Sequence, residues 1–219
     1  MTLPRKAHAV VFDVDGLIFD TEPLYRGAMI SAARESGHDM NLEVYHSIIG
    51  LSVEATRTLL SEHFGRRFDF EVFWATASKQ FYEMAGSQLY LKAGVVDLLD
   101  VLDDLYLPRG IATSSSHEDV RHHLAQHGLL DRFEAIVAQG DYLRGKPNPD
   151  PFLKAAERLG VEPALCLALE DSYNGVRAAS HAGMMTIMVP DLLAPTVEME
   201  ELCVCIAQNL HQVCTLMKT

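Results

Sequence analysis

Six short apolar runs rich in valine, isoleucine or alanine most constrain what this chain can fold into: Ala7 to Phe12, Arg109 to Thr113, Ala135 to Ala138, Ala164 to Leu169, Met184 to Val189 and Leu202 to Ala207. Most are separated by segments of helical period. Residues 94–106 put Val95, Leu98, Leu99, Leu102 and Leu105 on one stripe, the pattern of a helix packed on a sheet. The helical pattern after Asn174 stops at Gly183, a residue suited to the left-handed conformation that ends helices, and an apolar run follows at once. Strands joined through helices must lie parallel, so the expected architecture is α/β, a doubly wound, Rossmann-like parallel sheet.

Residues 19–88 break this alternation. They carry helical stripes such as Val53, Leu59, Leu60 and Phe64 and the single tryptophan, Trp74, with no good strand among them. The expectation is a discontinuous core of residues 1–18 and 89–219 with an all-helical insert, 19–88. The insert leaves just after the carboxyl end of the first strand, where open α/β sheets place their ligands, so it is expected to close over a site. A length of 219 residues accommodates two modest domains.

The first run ends Val10-Val11-Phe12-Asp13-Val14-Asp15-Gly16. In an extended chain residues i and i+2 point to the same side, so both acids can face one pocket while Gly16 lets the backbone turn. One acid can attack while the other moves protons; taken alone, the same residues read equally well as a turn. Later strand ends add to the picture. Ile111-Ala112 leads into Thr113-Ser114-Ser115-Ser116, hydroxyls ahead of a helix N-terminus that can attract an anion or simply be capped. Gly145-Lys146-Pro147-Asn148-Pro149-Asp150 sets a lysine in a stiff, non-helical loop, where it can neutralise phosphate or be solvated. Leu169-Glu170-Asp171-Ser172 places two acids at the end of a buried strand; carboxylates held together repel unless a cation or a proton separates them, and a metal is the economical explanation. Oxygen-only ligands and a phosphate substrate favour Mg2+ over zinc.

Two other patterns lead elsewhere. Gly140 to Lys146 imitates the start of a nucleotide-binding loop, but Pro147 stands where a serine or threonine is needed. His123 and His127 have zinc-compatible spacing without a third ligand and read as an exposed helix face.

A formal net charge of -12 opposes nucleic acid and anionic membrane surfaces, so neither is expected as a partner. No run approaches membrane-spanning length, and the segment after Arg5 and Lys6 is too short for a signal-peptide core; a cytoplasmic location is the expectation. Cys166, Cys203, Cys205 and Cys214 lack C-x-x-C spacing and read as buried thiols, with Cys203 and Cys205 on one face of a strand.

Taken in order, Asp13-Val14-Asp15-Gly16-Leu17-Ile18-Phe19-Asp20-Thr21-Glu22-Pro23, Ala112-Thr113-Ser114-Ser115, Gly145 to Asp150 and Glu170-Asp171-Ser172-Tyr173-Asn174-Gly175 resemble the haloacid dehalogenase superfamily, in the branch that includes β-phosphoglucomutase and many sugar-phosphate and nucleotide phosphatases. The resemblance implies a parallel-sheet core with a four-helix cap and a small phosphorylated metabolite as substrate. It makes Asp13 the nucleophile and Asp15 the general acid and base. Thr113, Ser114 and Lys146 would hold the phosphoryl group, and Asp13, Asp15, Glu170 and Asp171 would bind Mg2+. Cap residues Glu22, Tyr25 and Arg26 and the loop Gly50 to Glu54 would meet the substrate. Val53 stands where the mutase has an arginine for the second phosphate and Tyr25 where it has a histidine, so a phosphatase is preferred over a β-phosphoglucomutase-like phosphomutase. Ala93 replaces a common proline. A non-enzymatic phosphoacceptor signalling module is the alternative from another class, and a monomer the expected state.

Overall fold

The computed structural model describes residues 3–49, 51 and 53–218, the side chain of Ser87 excepted. The chain divides into two compact units, residues 1–19 with 91–219 and residues 20–90. In the first, six strands, β1 (Ala9–Phe12), β2 (Arg109–Ala112), β3 (Ala135–Val137), β4 (Cys166–Glu170), β5 (Met185–Met188) and β6 (Cys205–Ile206), form one sheet in the order β3-β2-β1-β4-β5-β6. All neighbouring pairs are parallel. β1 is apolar throughout and β4 is apolar up to Glu170, which reflects burial on both faces, the usual condition of a parallel sheet; β2, Arg-Gly-Ile-Ala, is buried as well.

Register decides which side chains become neighbours. Val11 of β1 lies opposite Ala168 of β4, and Phe12 opposite Leu169. One step further, Asp13 stands beside Glu170. Ala9, Val11, Cys166 and Ala168 share one packed face with Phe152, Ala155, Ala178 and Ala179, so the next residues of that parity, Asp13 and Glu170, emerge on the same side. The helices of that cluster are α7 (Asp150–Leu159) and α8 (Tyr173–His181). Helix α5 (Val95–Asp104) buries Val95, Leu98, Leu99 and Leu102 as its stripe requires, but it ends at Asp104, so Leu105 caps the helix and is exposed. Helix α6 (His117–Gln126) follows β2, α9 (Val197–Leu202) precedes β6, and α10 (Leu210–Met217) closes the chain.

Two further expectations are corrected. Cys203 lies at the carboxyl cap of α9 rather than on a strand with Cys205, because β6 starts only at Cys205. His123 is buried rather than exposed: with Val120 and Leu124 it forms the inward stripe of α6, edge-on to Phe19. All four cysteines are free thiols, and burial pushes those of Cys166 and Cys203 up to about 11.

The second unit consists of helices α1 (Glu22–Glu35), α2 (Leu42–Ile48), α3 (Val53–Phe64) and α4 (Phe70–Gln88). Its own core gathers Met40, Tyr45, Leu60, Phe68, Phe70 and Phe73. Asn41 and Asp69 cap α2 and α4 by accepting from backbone N–H groups, which fixes where those helices begin. Gly50 and Ser52 lie outside the described residues. No helix among the described residues is long and apolar enough to cross a membrane.

Candidate active site

Acidic side chains gather where β1 and β4 end. Asp13 is bound to the ladder by its N–H, which donates to the Leu169 carbonyl at 3.0 Å. Between Asp13 and Glu170 lies the Lys146 ammonium, donating to Asp13 Oδ1 and to Glu170 Oε1, each at 2.5 Å. All three side chains are almost wholly buried. Lys146 reaches them from the loop before α7, its Nζ 5.1 Å above the Phe152 ring, a cation–π contact that supports the ammonium from below. The other oxygen of Glu170 accepts from the N–H groups of Asp171 and Ser172 and from the Ser172 hydroxyl.

Asp13, Glu170 and Asp171 each offer a carboxylate oxygen, and the three oxygens lie within 4.8 Å of one another. Gly16, at φ +83°, makes room for this: a Cβ there would overlap the Asp171 carboxylate. An all-oxygen set of this kind suits a hard divalent cation.

Asp15 is half-buried, and its Oδ2 accepts from the Ser115 hydroxyl at 2.5 Å. Ser115 in turn donates its N–H to Thr113 Oγ1 at 3.1 Å, closing the turn after β2. Thr113 is buried, and its carbonyl accepts from the Tyr142 hydroxyl at 3.0 Å. Ser114 is exposed. Ser116 caps α6.

A family model described as haloacid dehalogenase-like hydrolase matches residues 10–189, the greater part of the chain and all of these groups. The chain belongs to the haloacid dehalogenase-like hydrolase family. Among its relatives, YhcW of Bacillus subtilis, which bears the name of a phosphatase, is 37% identical over 88% of each chain. A Drosophila melanogaster protein bearing the name of a pseudouridine-5'-phosphatase is 37% identical over 85% of this chain and 83% of its own. A Thermotoga maritima crystal structure, named for a β-phosphoglucomutase, superposes with a TM-score of 0.82 at 26% identity over 96% of this chain and 98% of that one. With relatives of this kind the chain is a phosphoric monoester hydrolase, not a signalling module.

In this haloacid dehalogenase-like hydrolase the electrostatics are those of a site short of positive charge. Burial pushes the Asp13 carboxyl up to about 7, with Glu170 and Asp15 adding to the rise and Lys146 opposing it. Burial likewise raises Asp171, and the charges of Glu170 and Asp13 add to it. Asp15 is raised by burial against the opposing Ser115 hydrogen bond. Burial alone would lower the Lys146 ammonium, but Asp13 and Glu170 outweigh it and hold the group above its ordinary value.

Of the helical unit's expected residues, Tyr25 stacks on Phe81 with ring centroids 3.9 Å apart. Glu22 pairs with Arg26 at 3.9 Å through one oxygen, and its other oxygen is buried without a hydrogen-bond partner among the described residues. Sequence reasoning missed Ser115, Tyr142 and the pair Lys92 and Asp191, whose side chains meet at 2.7 Å. Asp191 had a usable signal: it is an acid three residues past the end of β5, at the same end of the parallel strands as Asp13 and Asp171, which stand one residue past β1 and β4.

Proposed function

We propose that the chain is a Mg2+-dependent phosphatase of small phosphorylated metabolites, a sugar phosphate or nucleotide-like compound, acting through a phosphorylated Asp13. The observation that carries this reading is the meeting of Asp13, Glu170 and Asp171 around one point with Lys146 inserted between two of them. An attacking carboxylate, a fixed ammonium and a place for a divalent cation are what transfer of a phosphoryl group needs, since most of its barrier is lowered by positioning and charge.

Asp13 attacks phosphorus and forms the acyl phosphate while the P–O bond to the leaving group breaks. Asp15 gives its proton to that leaving oxygen, then takes one from the water that attacks phosphorus and frees Asp13. Its carboxyl, raised by burial, suits a proton donor, and Ser115 fixes its direction. Lys146, Thr113 and Ser114 receive the phosphoryl oxygens. The Asp13 carboxylate, the Asp15 carbonyl and Asp171 would hold magnesium, with Glu170 directly or through water, and the ion would neutralise charge on the transferring group. Glu22, Tyr25 and Arg26, on the helical unit, are the candidates for substrate selection, with that unit acting as a cap.

A phosphomutase is the second reading, favoured by the name of the Thermotoga maritima structure. It is less well supported because Val53, at the start of α3, brings no charge for a second phosphate. Phosphate release from p-nitrophenyl phosphate and a panel of sugar phosphates and nucleotides, with Mg2+, tests the proposal. Sustained turnover is expected, Asp13→Asn should be inert, and borohydride quenching should convert Asp13 to homoserine. Activity retained in Asp13→Asn overturns the assignment. Accumulation of glucose 6-phosphate from β-glucose 1-phosphate with a trace of bisphosphate favours the mutase.

A further inference from the structure

Two side chains outside the family's matched motifs meet beside the acidic cluster. Lys92 precedes α5, and its backbone is tied to the segment after β1 by an N–H donated to the Ile18 carbonyl at 2.9 Å. Asp191 follows β5, whose register is carried one residue past the strand by the Val189 N–H donating to the Glu170 carbonyl at 2.7 Å. Lys92 Nζ donates to Asp191 Oδ1 at 2.7 Å, and both side chains are largely shielded. The other Asp191 oxygen lies 3.4 Å from the place a Cβ on Gly16 would take, a place that the Asp171 carboxylate already overlaps. The two carboxylates therefore flank the same glycine.

A carboxylate brought that near Asp171 is costly unless something answers its charge. Lys92 answers part of it. Asp13, Glu170, Asp171 and Asp191 face two ammonium groups, Lys146 and Lys92, so two negative charges remain, the complement of one divalent cation. Asp15 stands outside this balance as the protonated acid its role requires.

We infer that Asp191, clamped by Lys92, is a positioning residue for the divalent ion, accepting hydrogen bonds from the ion's hydration shell on the Gly16 side of Asp171. The inference rests on the metal reading proposed above. A salt bridge of this kind does two things at once. It fixes the direction of Asp191 Oδ2, and it keeps Asp191 from drawing the ion off Asp171. Groups that orient a metal's surroundings in this way typically change its affinity about 10–100-fold when removed.

The test is Mn2+ titration of the full chain without substrate, with free Mn2+ read by electron paramagnetic resonance, and thermal melting of each variant to verify folding. Wild type should bind one Mn2+, and Asp171→Asn should lose it. Asp191→Asn should bind about 10–100-fold more weakly. Lys92→Met is the discriminating variant. Deleting a positive charge near a cation would tighten binding if Lys92 acted only through its field, whereas loss of the clamp weakens it, and Lys92→Arg should restore it. Unchanged binding in Asp191→Asn, or tighter binding in Lys92→Met, with Asp171→Asn still inactive in binding, overturns the inference and leaves the metal reading intact. Mn2+ binding that survives Asp171→Asn removes the metal reading and the inference with it.

Discussion

Gly175, in the first turn of α8, has no side chain because the carboxylate of Glu170 fills the place one would take: a Cβ built on Gly175 overlaps the carboxyl carbon and both oxygens of Glu170. Glu170 cannot retreat easily, since one oxygen holds Lys146 and the other holds three donors in the Asp171-Ser172 turn. Gly175→Ala should therefore push Glu170 off Lys146. The expected outcome is a fall in kcat/KM of at least about 100-fold, the size of effect a misplacement near 1 Å produces. A loss of about 1–3 kcal/mol in urea unfolding should accompany it, as overpacking does elsewhere.

Lys146 is the only described cation that touches both Asp13 and Glu170. Replacing it by methionine keeps much of the volume and the contact with Phe152 but leaves two buried carboxylates without their ammonium. Breaking a buried pair in this way costs about 3–5 kcal/mol. Lys146→Met should lose phosphatase activity and unfold at correspondingly lower urea, and added Mg2+ should recover part of that stability. Equal stability of Lys146→Met and wild type in EDTA would show that the ammonium is not what holds the two acids together.

The strands were legible in the sequence because parallel strands buried on both faces are mostly apolar: five of the six expected runs contain a whole strand, and β4 goes one residue past its run, to Glu170. What periodicity does not contain is register across the sheet. That Asp13 and Glu170 share a face follows from Val11 lying opposite Ala168, a relationship between residues far apart in sequence that only the folded sheet reveals. For the same reason Ser115 was not singled out within its hydroxyl-rich run. Which of Thr113, Ser114, Ser115 and Ser116 faces Asp15 depends on how the turn after β2 closes, and the Ser115 N–H to Thr113 hydrogen bond decides it. The burial of His123 was readable: Val120, His123 and Leu124 fall at i, i+3 and i+4, the inward stripe of a helix. Paired with His127 by spacing alone, it reads as an exposed face.

Binding of a divalent ion to a site with uncompensated carboxylates should appear as stability. A ligand that binds only the folded state stabilises by about 2.7 kcal/mol at a concentration 100 times its Kd. For a chain of this size that corresponds to a rise in Tm of about 5–10 °C. Melting in EDTA and then in saturating Mg2+ should show that rise for wild type, and Asp171→Asn should show little of it. An equal shift in both proteins would mean that the stabilising ion binds away from Asp171.

Asp141 gives a dependence on pH that is independent of the catalytic groups. Hydrogen bonds from Arg158 hold its carboxyl well below the usual value of 3.8, against an opposing effect of burial and with help from the Ala138 N–H and His117. Arg158 donates to both of its oxygens, at 2.7 and 2.9 Å, and Ala138 N–H at 3.1 Å ties it to the end of β3. Because the folded value is depressed, the native state keeps this carboxyl ionised where the unfolded chain would protonate it. The stability it contributes is fully present above about pH 4 and is lost as pH falls further toward the folded value. Asp141→Asn should cost about 1.5–3 kcal/mol at pH 7, the usual worth of hydrogen bonds to a charged group. In urea titrations repeated downward from pH 7, the gap between wild type and Asp141→Asn should stay constant to about pH 4 and then narrow. A gap that widens on acidification would contradict the sign of the shift and assign the loss to altered packing around α7 instead.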